Sequence, residues 1–288
     1  MSCYLFVNPA SGHHSAGRLE SSLERLHAHA IIPEIFQVRS PAEIFACCTR
    51  INSDDAPPTV IVAGGDGTFN AVVNGLTPGS ATMAILPFGT SNVLAAELGI
   101  ASLDDALERI IGGKTASLSV GVLELAGRSL RFVLMAGIGF DGAVVRDVWP
   151  RGKKLLRQGA YVISAVKNLI GWNPATFTLA TPNGDITCHT TVICNASRYG
   201  GCLVVSPGST PLTPGLTAVC MTGNTRSSCL HATMELFQGS SGTAVGLLRK
   251  QATFFEISGT HPIQIDGDFI GYGPAHISVC PDFAKMIV

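Results

Sequence analysis

The stretch that most constrains the fold is Thr59-Val60-Ile61-Val62-Ala63, which runs straight into Gly64-Gly65-Asp66-Gly67-Thr68. The β-branched run is too short for a helix and reads as a strand buried on both faces. The glycines let the backbone come close to a ligand, and exposed N–H groups at such a turn suit phosphate oxygens. Residues 68–76 then read as a helix. Neither G-x-x-x-x-G-K nor G-x-G-x-x-G is present, so this is neither a Walker loop nor a dinucleotide fingerprint. A carboxylate among phosphate-binding amides is costly without a cation. Asp66 therefore points toward a nucleotide's Mg2+ or a hydroxyl nucleophile; the bland alternative is an Asp cap on a tight strand-to-helix turn.

The same grammar continues on both sides. Strands are expected at 4–7, 31–38, 59–63 and 82–86, and helices at 16–30, 41–51, 68–76 and 92–98. Ser102-Leu103-Asp104-Asp105 looks like a capping box that opens a further helix to Ile111. This alternation predicts a parallel sheet covered by helices on both faces. Ligands of such sheets bind at the carboxyl ends of the strands. Two more polar loops fall there, Asn8-Pro9-Ala10-Ser11-Gly12 and Pro87-Phe88-Gly89-Thr90-Ser91-Asn92, and Ser40 would be a fourth contributor.

After Gly112-Gly113 the pattern changes. Two strands are expected within 117–136, then a helical stretch over 141–169 broken near Pro150. Strands at 175–181 and 186–195 join through Asn183-Gly184, a strong hairpin signal. Further strands are expected at 216–222, 253–259, 263–266 and 275–280, and a helix at 227–238. The second part is β-rich and mostly antiparallel. The boundary is placed at 120, giving domains 1–120 and 121–288, with the last residues free to return to the first domain.

Charge and cysteine narrow the partners. Nineteen Lys plus Arg against twenty Asp plus Glu leave a net charge of −1, so no global field draws the chain to nucleic acid. Charged residues are only 14% of the chain, against about 25% in an ordinary globular protein. The nine cysteines include no C-x-x-C pair and fit a reducing cytoplasm better than a disulfide framework. No signal peptide is expected, and no apolar run approaches the ~18 residues of a spanning helix. The basic segment 149–157 reads either as a contact for anionic head groups or as a solvated helix face.

Three ordered segments resemble the diacylglycerol-kinase catalytic family, which includes YegS-like and sphingosine kinases and is more distantly similar to NAD kinases. They are Asn8-Pro9-x-Ser11-Gly12; Gly64-Gly65-Asp66-Gly67-Thr68-Phe69-Asn70-x-Val72-Val73-Asn74-Gly75-Leu76; and Pro87-x-Gly89-Thr90-x-Asn92. Gly137-x-Gly139-Phe140-Asp141, Tyr199-Gly200-Gly201, Ser206-Pro207-Gly208 and Ile265-Asp266-Gly267-Asp268 extend the resemblance along nearly the whole chain.

The resemblance implies an NAD-kinase-like α/β domain, a C-terminal β-sandwich, and ATP with Mg2+ in the cleft between them. Asn8, Ser40, Gly64, Gly65, Asp66, Gly67, Thr68, Asn70, Gly89 and Thr90 would bind the nucleotide. Asp66 would lie nearest the reacting phosphates, and Asp268 would take the place of the family's Glu as base. Asp141 would hold a lipid hydroxyl or amine. The implied function is phosphoryl transfer from ATP to a lipid hydroxyl at a membrane surface, by a cytoplasmic, peripherally attached protein, with a homodimer left open. A catalytically degenerate binding protein and an NAD-kinase-like enzyme are the alternatives. Four departures bear on them. Ala71 stands in place of Glu, and Val93 in place of Asp. Pro214 replaces a carboxylate linked to a structural Mg2+ in bacterial members. Asp268 is shorter than Glu by one methylene, about 1.5 Å.

Overall fold

The computed structural model describes residues 2–148, 175–201, 203–223, 225 and 246–288. The basic segment 149–157, the helical reading beyond Val148 and the helix expected at 227–238 lie outside them. The chain forms two compact units, Met1–Ser119 with Cys280–Val288, and Val120–Val279.

Unit 1 is an α/β domain. Its elements are β1 (Cys3–Val7), α1 (Ala16–Ala28), β2 (Glu34–Gln37), α2 (Pro41–Ile51), β3 (Thr59–Gly64), α3 (Asp66–Gly75), β4 (Thr82–Pro87), α4 (Val93–Glu97) and α5 (Leu103–Gly112). The strand order is β2-β1-β3-β4, closed by the C-terminal end of the last strand, β18 (Ala275–Ile287). Every one of these pairings is parallel. Val60, Ile61, Val62 and Ala63 are fully buried, as a strand covered on both faces must be. The order reverses between β1 and β3. The loops after these two strands therefore leave in opposite directions and open a crevice at their carboxyl ends.

The helices start where the chain supplies caps. Ser15, Ser40 and Ser102 each accept a hydrogen bond from the backbone N–H three residues on. Asp105 completes the box at Ser102 by accepting from Ala101 N at 2.8 Å. The second strand is shorter than the expected 31–38. Ile31 N donates to Leu26 O, still closing α1, and Pro33 has no N–H to give a ladder. The third helix begins at Asp66 and not at Thr68, because Thr68 N and Phe69 N both donate to Gly65 O.

Unit 2 is a β-sandwich. The described elements are β5 (Thr115–Leu125), which enters from unit 1, β6 (Arg128–Phe132), β7 (Met135–Gly139), α6 (Phe140–Arg146), β8 (Phe177–Ala180), β9 (Ile186–Cys188), β10 (Thr190–Cys194), β11 (Arg198–Tyr199), β12 (Leu203–Val204), β13 (Leu216–Met221), β14 (Leu247–Ala252), β15 (Phe254–Ile257), β16 (Pro262–Ile265) and β17 (Asp268–Tyr272). One sheet runs β14-β13-β10-β7-β16-β17; the other carries β18-β15-β8-β9 with the β5–β6 hairpin paired to β18. Phe132, Ile138, Leu179, Ile193, Phe255, Ile263 and Ile277 are fully buried in the apolar core of this unit.

The Asn183-Gly184 hairpin is present as β8–β9. The single strand expected at 186–195 is instead two, since the chain changes sheet at His189. There His189 N donates to Met221 O, and its own carbonyl would lie 2.2 Å from a methyl group on Gly139. β11, β12, β14 and β17 fall outside the strands expected from the sequence, and the last strand is far longer than 275–280.

Candidate nucleotide and acceptor sites

In unit 1 three loops meet at the carboxyl ends of β1, β3 and β4. Asn8 follows β1; its Nδ2 donates to Thr68 Oγ1 at 2.9 Å, and its Oδ1 accepts from Ala10 N. A methyl group on Gly12 would lie 2.1 Å from Thr90 Oγ1, so the first and third loops touch. Gly89 N donates to Gly64 O, and a methyl on Gly89 would lie 2.4 Å from Gly65 Cα. The second and third loops therefore approach backbone to backbone, which only paired glycines permit. A methyl on Gly67, by contrast, would meet nothing within 4 Å. Gly67 lies exposed in the first turn of α3, where backbone N–H groups have no acceptor inside the helix. The cluster thus combines a packed floor with one open, N–H-bearing face suited to an anion.

Asp66 has partners that the sequence did not disclose. Its Oδ2 accepts from Val93 N at 3.0 Å and its Oδ1 from Leu94 N at 2.9 Å. The carboxylate therefore supplies the acceptors that the start of α4 lacks. Asn92 cannot supply them: it sits at φ 47° and turns its Nδ2 back to Gly89 O. Two donors offset part of the electrostatic cost of an Asp among amides. His13, just past the first loop, locks that loop to the third. Its N donates to Phe88 O at 2.8 Å, and its Nδ1 donates to Gly89 O at 2.6 Å.

Ser40 stands at the start of α2. Its Oγ accepts from Glu43 N and donates to Glu43 Oε1, while Arg39 N donates to Glu43 Oε2. This is a capping box on α2, and no hydrogen bond joins Ser40 to the three loops. Asn70 lies one helical turn beyond Asp66, where its carbonyl and side-chain oxygens accept from Asn74 Nδ2. A cavity of about 510 Å3 lies along α1, lined by Pro9, His14, Leu19, Leu23, His27 and Gln37 among others. None of residues 64–68 lines it, so the glycine loops and not this hollow mark the candidate nucleotide site.

In unit 2 the residues of the late Asp-Gly-Asp separate into different tasks. Asp266 (φ 46°) and Gly267 (φ 87°) form the two-residue turn between β16 and β17. Two successive positive φ values are what Asp-Gly supplies in a type I′ hairpin. The Asp266 carboxylate accepts from Val133 N, Leu134 N and Met135 N at 2.8–3.0 Å. Asp268 then opens β17 with an exposed side chain.

Asp141, in the first turn of α6, accepts from Tyr199 OH at 2.5 Å and from Gln264 Nε2 at 2.8 Å. Burial raises its pKa above the ordinary carboxylate range, and the two hydrogen bonds pull it part of the way back. Gly137 makes room for it: a methyl there would lie 1.6 Å from Asp141 Oδ2. Around Pro214 the loop is braced by hydroxyls. Ser206 Oγ and Ser209 Oγ lie 2.8 Å apart, and Ser209 Oγ donates to Thr217 Oγ1 at 3.1 Å.

Among the described residues no three His, Cys, Asp or Glu side chains gather at metal-binding distance. With no cluster of carboxylates among them and Pro214 in place of one, the side chains described do not build a Mg2+ site of their own. No helix among them is long and apolar enough to cross a membrane.

Comparison with known proteins agrees with this arrangement. Residues 2–123 match the diacylglycerol kinase catalytic domain, and residues 135–288 match the YegS C-terminal NAD kinase beta sandwich-like domain. The chain is 26% identical over 298 residues to a diacylglycerol kinase of Mycobacterium tuberculosis, covering 98% of this chain and 93% of that one. It is 35% identical over 119 residues to a diacylglycerol kinase of Bacillus subtilis, covering 40% of this chain and 38% of the other. Its fold superposes on the crystal structure of a diacylglycerol kinase from Bacillus anthracis with a TM-score of 0.74. That match has 18% identity and covers 99% of this chain and 96% of that one. With both of its units matched in order, this chain belongs to the diacylglycerol-kinase-like lipid kinase family, in the branch that carries a YegS-type β-sandwich.

Proposed function

We propose that the protein transfers the γ-phosphoryl group of ATP to the hydroxyl of a diacylglycerol- or sphingoid-like lipid. The observation that carries this reading is the three-loop cluster with its open face at Gly67. In the proposed step the lipid oxygen bonds to the γ-phosphorus as the bond to the β,γ-bridging oxygen breaks, and ADP leaves. The hydroxyl proton passes to Asp268, exposed at the head of β17. Asn8, Gly64, Gly65, Gly67, Thr68, Gly89 and Thr90 bind and orient the phosphates. Asp66 is a positioning residue that holds the start of α4 against them. Such transfer needs positioning and charge neutralisation more than covalent chemistry from the protein. Mg2+ is proposed to arrive with the nucleotide phosphates. The low charge content fits a cytoplasmic protein that meets its acceptor at a membrane surface, with Asp141 as the group nearest in chemistry to a hydroxyl or amine ligand.

The test is incubation of the purified protein with γ-labelled ATP, Mg2+ and vesicles carrying diacylglycerols or long-chain bases. Label is expected in the lipid phase. ATP binding without label in any lipid would overturn the reading in favour of a binding protein, and label in NAD would favour a soluble acceptor.

A further inference from the structure

Gln264 is an amide on a strand of a sandwich core, 1% exposed, where an apolar residue would be the ordinary choice. The register of β16 against β17 shifts between Ile263 and Gln264, which breaks the regular ladder at this residue. Both ends of the side chain are engaged. Oε1 accepts from Gly267 N at 2.8 Å, and Nε2 donates to Asp141 Oδ2 at 2.8 Å. The amide orientation is forced, because Gly267 N–H can only donate and so must face the oxygen. A methyl on Gly137 would lie 2.7 Å from Nε2 as well as on Asp141, so the contact exists because position 137 is glycine.

We propose that Gln264 is a positioning residue that ties the half-buried Asp141 carboxylate to the turn from which Asp268 emerges. This inference rests on the reading of Asp268 as the base. One amide holds the Gly267 end of the turn while the Asp266 carboxylate holds the other. The direction in which Asp268 leaves is thereby coupled to the placement of Asp141. A neutral amide does this without setting a second charge beside Asp141.

Gln264→Glu and Gln264→Leu separate this role from simple packing. In Gln264→Glu one oxygen still accepts from Gly267 N, and the other faces Asp141 Oδ2, so the two carboxyl groups must share a proton. The other ionisable groups on the packed elements are Arg146 of α6 and Asp147 just past it, which pair with each other, Asp266 of the turn, Asp268 and Tyr272 of β17, and Arg198 and Tyr199 of β11; β7 brings none.

The experiment measures kcat, KM for ATP and Tm of parent and both variants from pH 6 to 9. Gln264→Leu is expected to lose at least about tenfold in kcat at every pH, with KM for ATP within about twofold. Gln264→Glu is expected to lie near the parent at pH 6 and to fall at least about tenfold below it by pH 9, as the shared proton is lost. A Gln264→Glu profile parallel to the parent's, or an effect confined to KM for ATP, overturns the inference. Should Gln264→Leu fail to fold, the pH profile of Gln264→Glu decides alone. A parent without lipid kinase activity overturns the function reading and this inference with it, whereas an active parent with unshifted variants overturns this inference only.

Discussion

At the scale of single residues, glycines and carboxylates divide the work. Gly89 faces Gly65 Cα at a distance that no side chain tolerates, whereas Gly67 faces open space. Gly89→Ala is expected to lower unfolding free energy by about 1–3 kcal/mol through overpacking, measured by chemical denaturation. Gly67→Ala should leave stability unchanged or raise it by up to about 1 kcal/mol. Its cost should appear as weaker ATP binding, by about tenfold in titration calorimetry, because the methyl stands on the ligand face. Asp141 makes the pH dependence specific. Its folded pKa is raised by burial, so the folded state holds this proton more tightly than the unfolded chain. The contribution is therefore complete below the unfolded value of about 3.9 and is lost as pH rises through the raised folded value. The stability of Asp141→Asn relative to the parent should accordingly climb with pH across that window. A flat difference in Tm would show that the carboxyl group is not held this way.

At the scale of elements, two carboxylates do one kind of task. Asp66 supplies acceptors to the start of α4, and Asp266 supplies them to residues 133–135 at the entry to β7. Hydrogen bonds to a charged group are worth about 1.5–3 kcal/mol each and do not add fully. Asp266→Ala is expected to cost at least about 3 kcal/mol by urea unfolding, with Asp266→Asn intermediate because its single oxygen keeps part of the set. Elements with strong local chemistry were legible in the sequence: α2 with its Ser40-Pro41 start, α5 with its capping box, and the β8–β9 hairpin with Asn183-Gly184. Elements that depend on neighbours were not. β17 is a five-residue edge strand with exposed Phe269 and Tyr272, and its pairing is decided by the turn before it. Residues 186–194 carry no Gly, Pro or other break, as one strand would, and only the crowding at Gly139 and His189 shows why they serve two sheets.

At the scale of the whole molecule, the chain closes its first sheet with its last residues. Lys285 and Met286 pair with Thr82 and Met83, Phe283 O accepts from Gly79 N, and Phe283 and Met286 are fully buried. Removing residues 281–288 would unpair β4 at Thr82 and Met83 and leave a free parallel edge there. The truncated protein is expected to lose the cooperative unfolding of unit 1 and to be cut by protease within residues 2–119. Retention of a protease-resistant fragment of that size would show that the strand is dispensable.

By itself the sequence determined the α/β grammar of the first part, the antiparallel character of the second, and the three loops at the strand ends. Those features rest on local rules: β-branched runs, caps, glycine turns and short polar loops act on residues near in sequence. Tertiary structure alone decided what Asp66, His13 and Gln264 do, because their partners lie across the fold. Asp66 reads as a metal-facing carboxylate until the N–H groups of Val93 and Leu94 are brought to it. Gln264 reads as an ordinary strand residue until Asp141 and Gly267 are placed on either side of it. A side chain's chemical type is written in the sequence, but whether its hydrogen bonds are already satisfied depends on which distant backbone the fold carries to it.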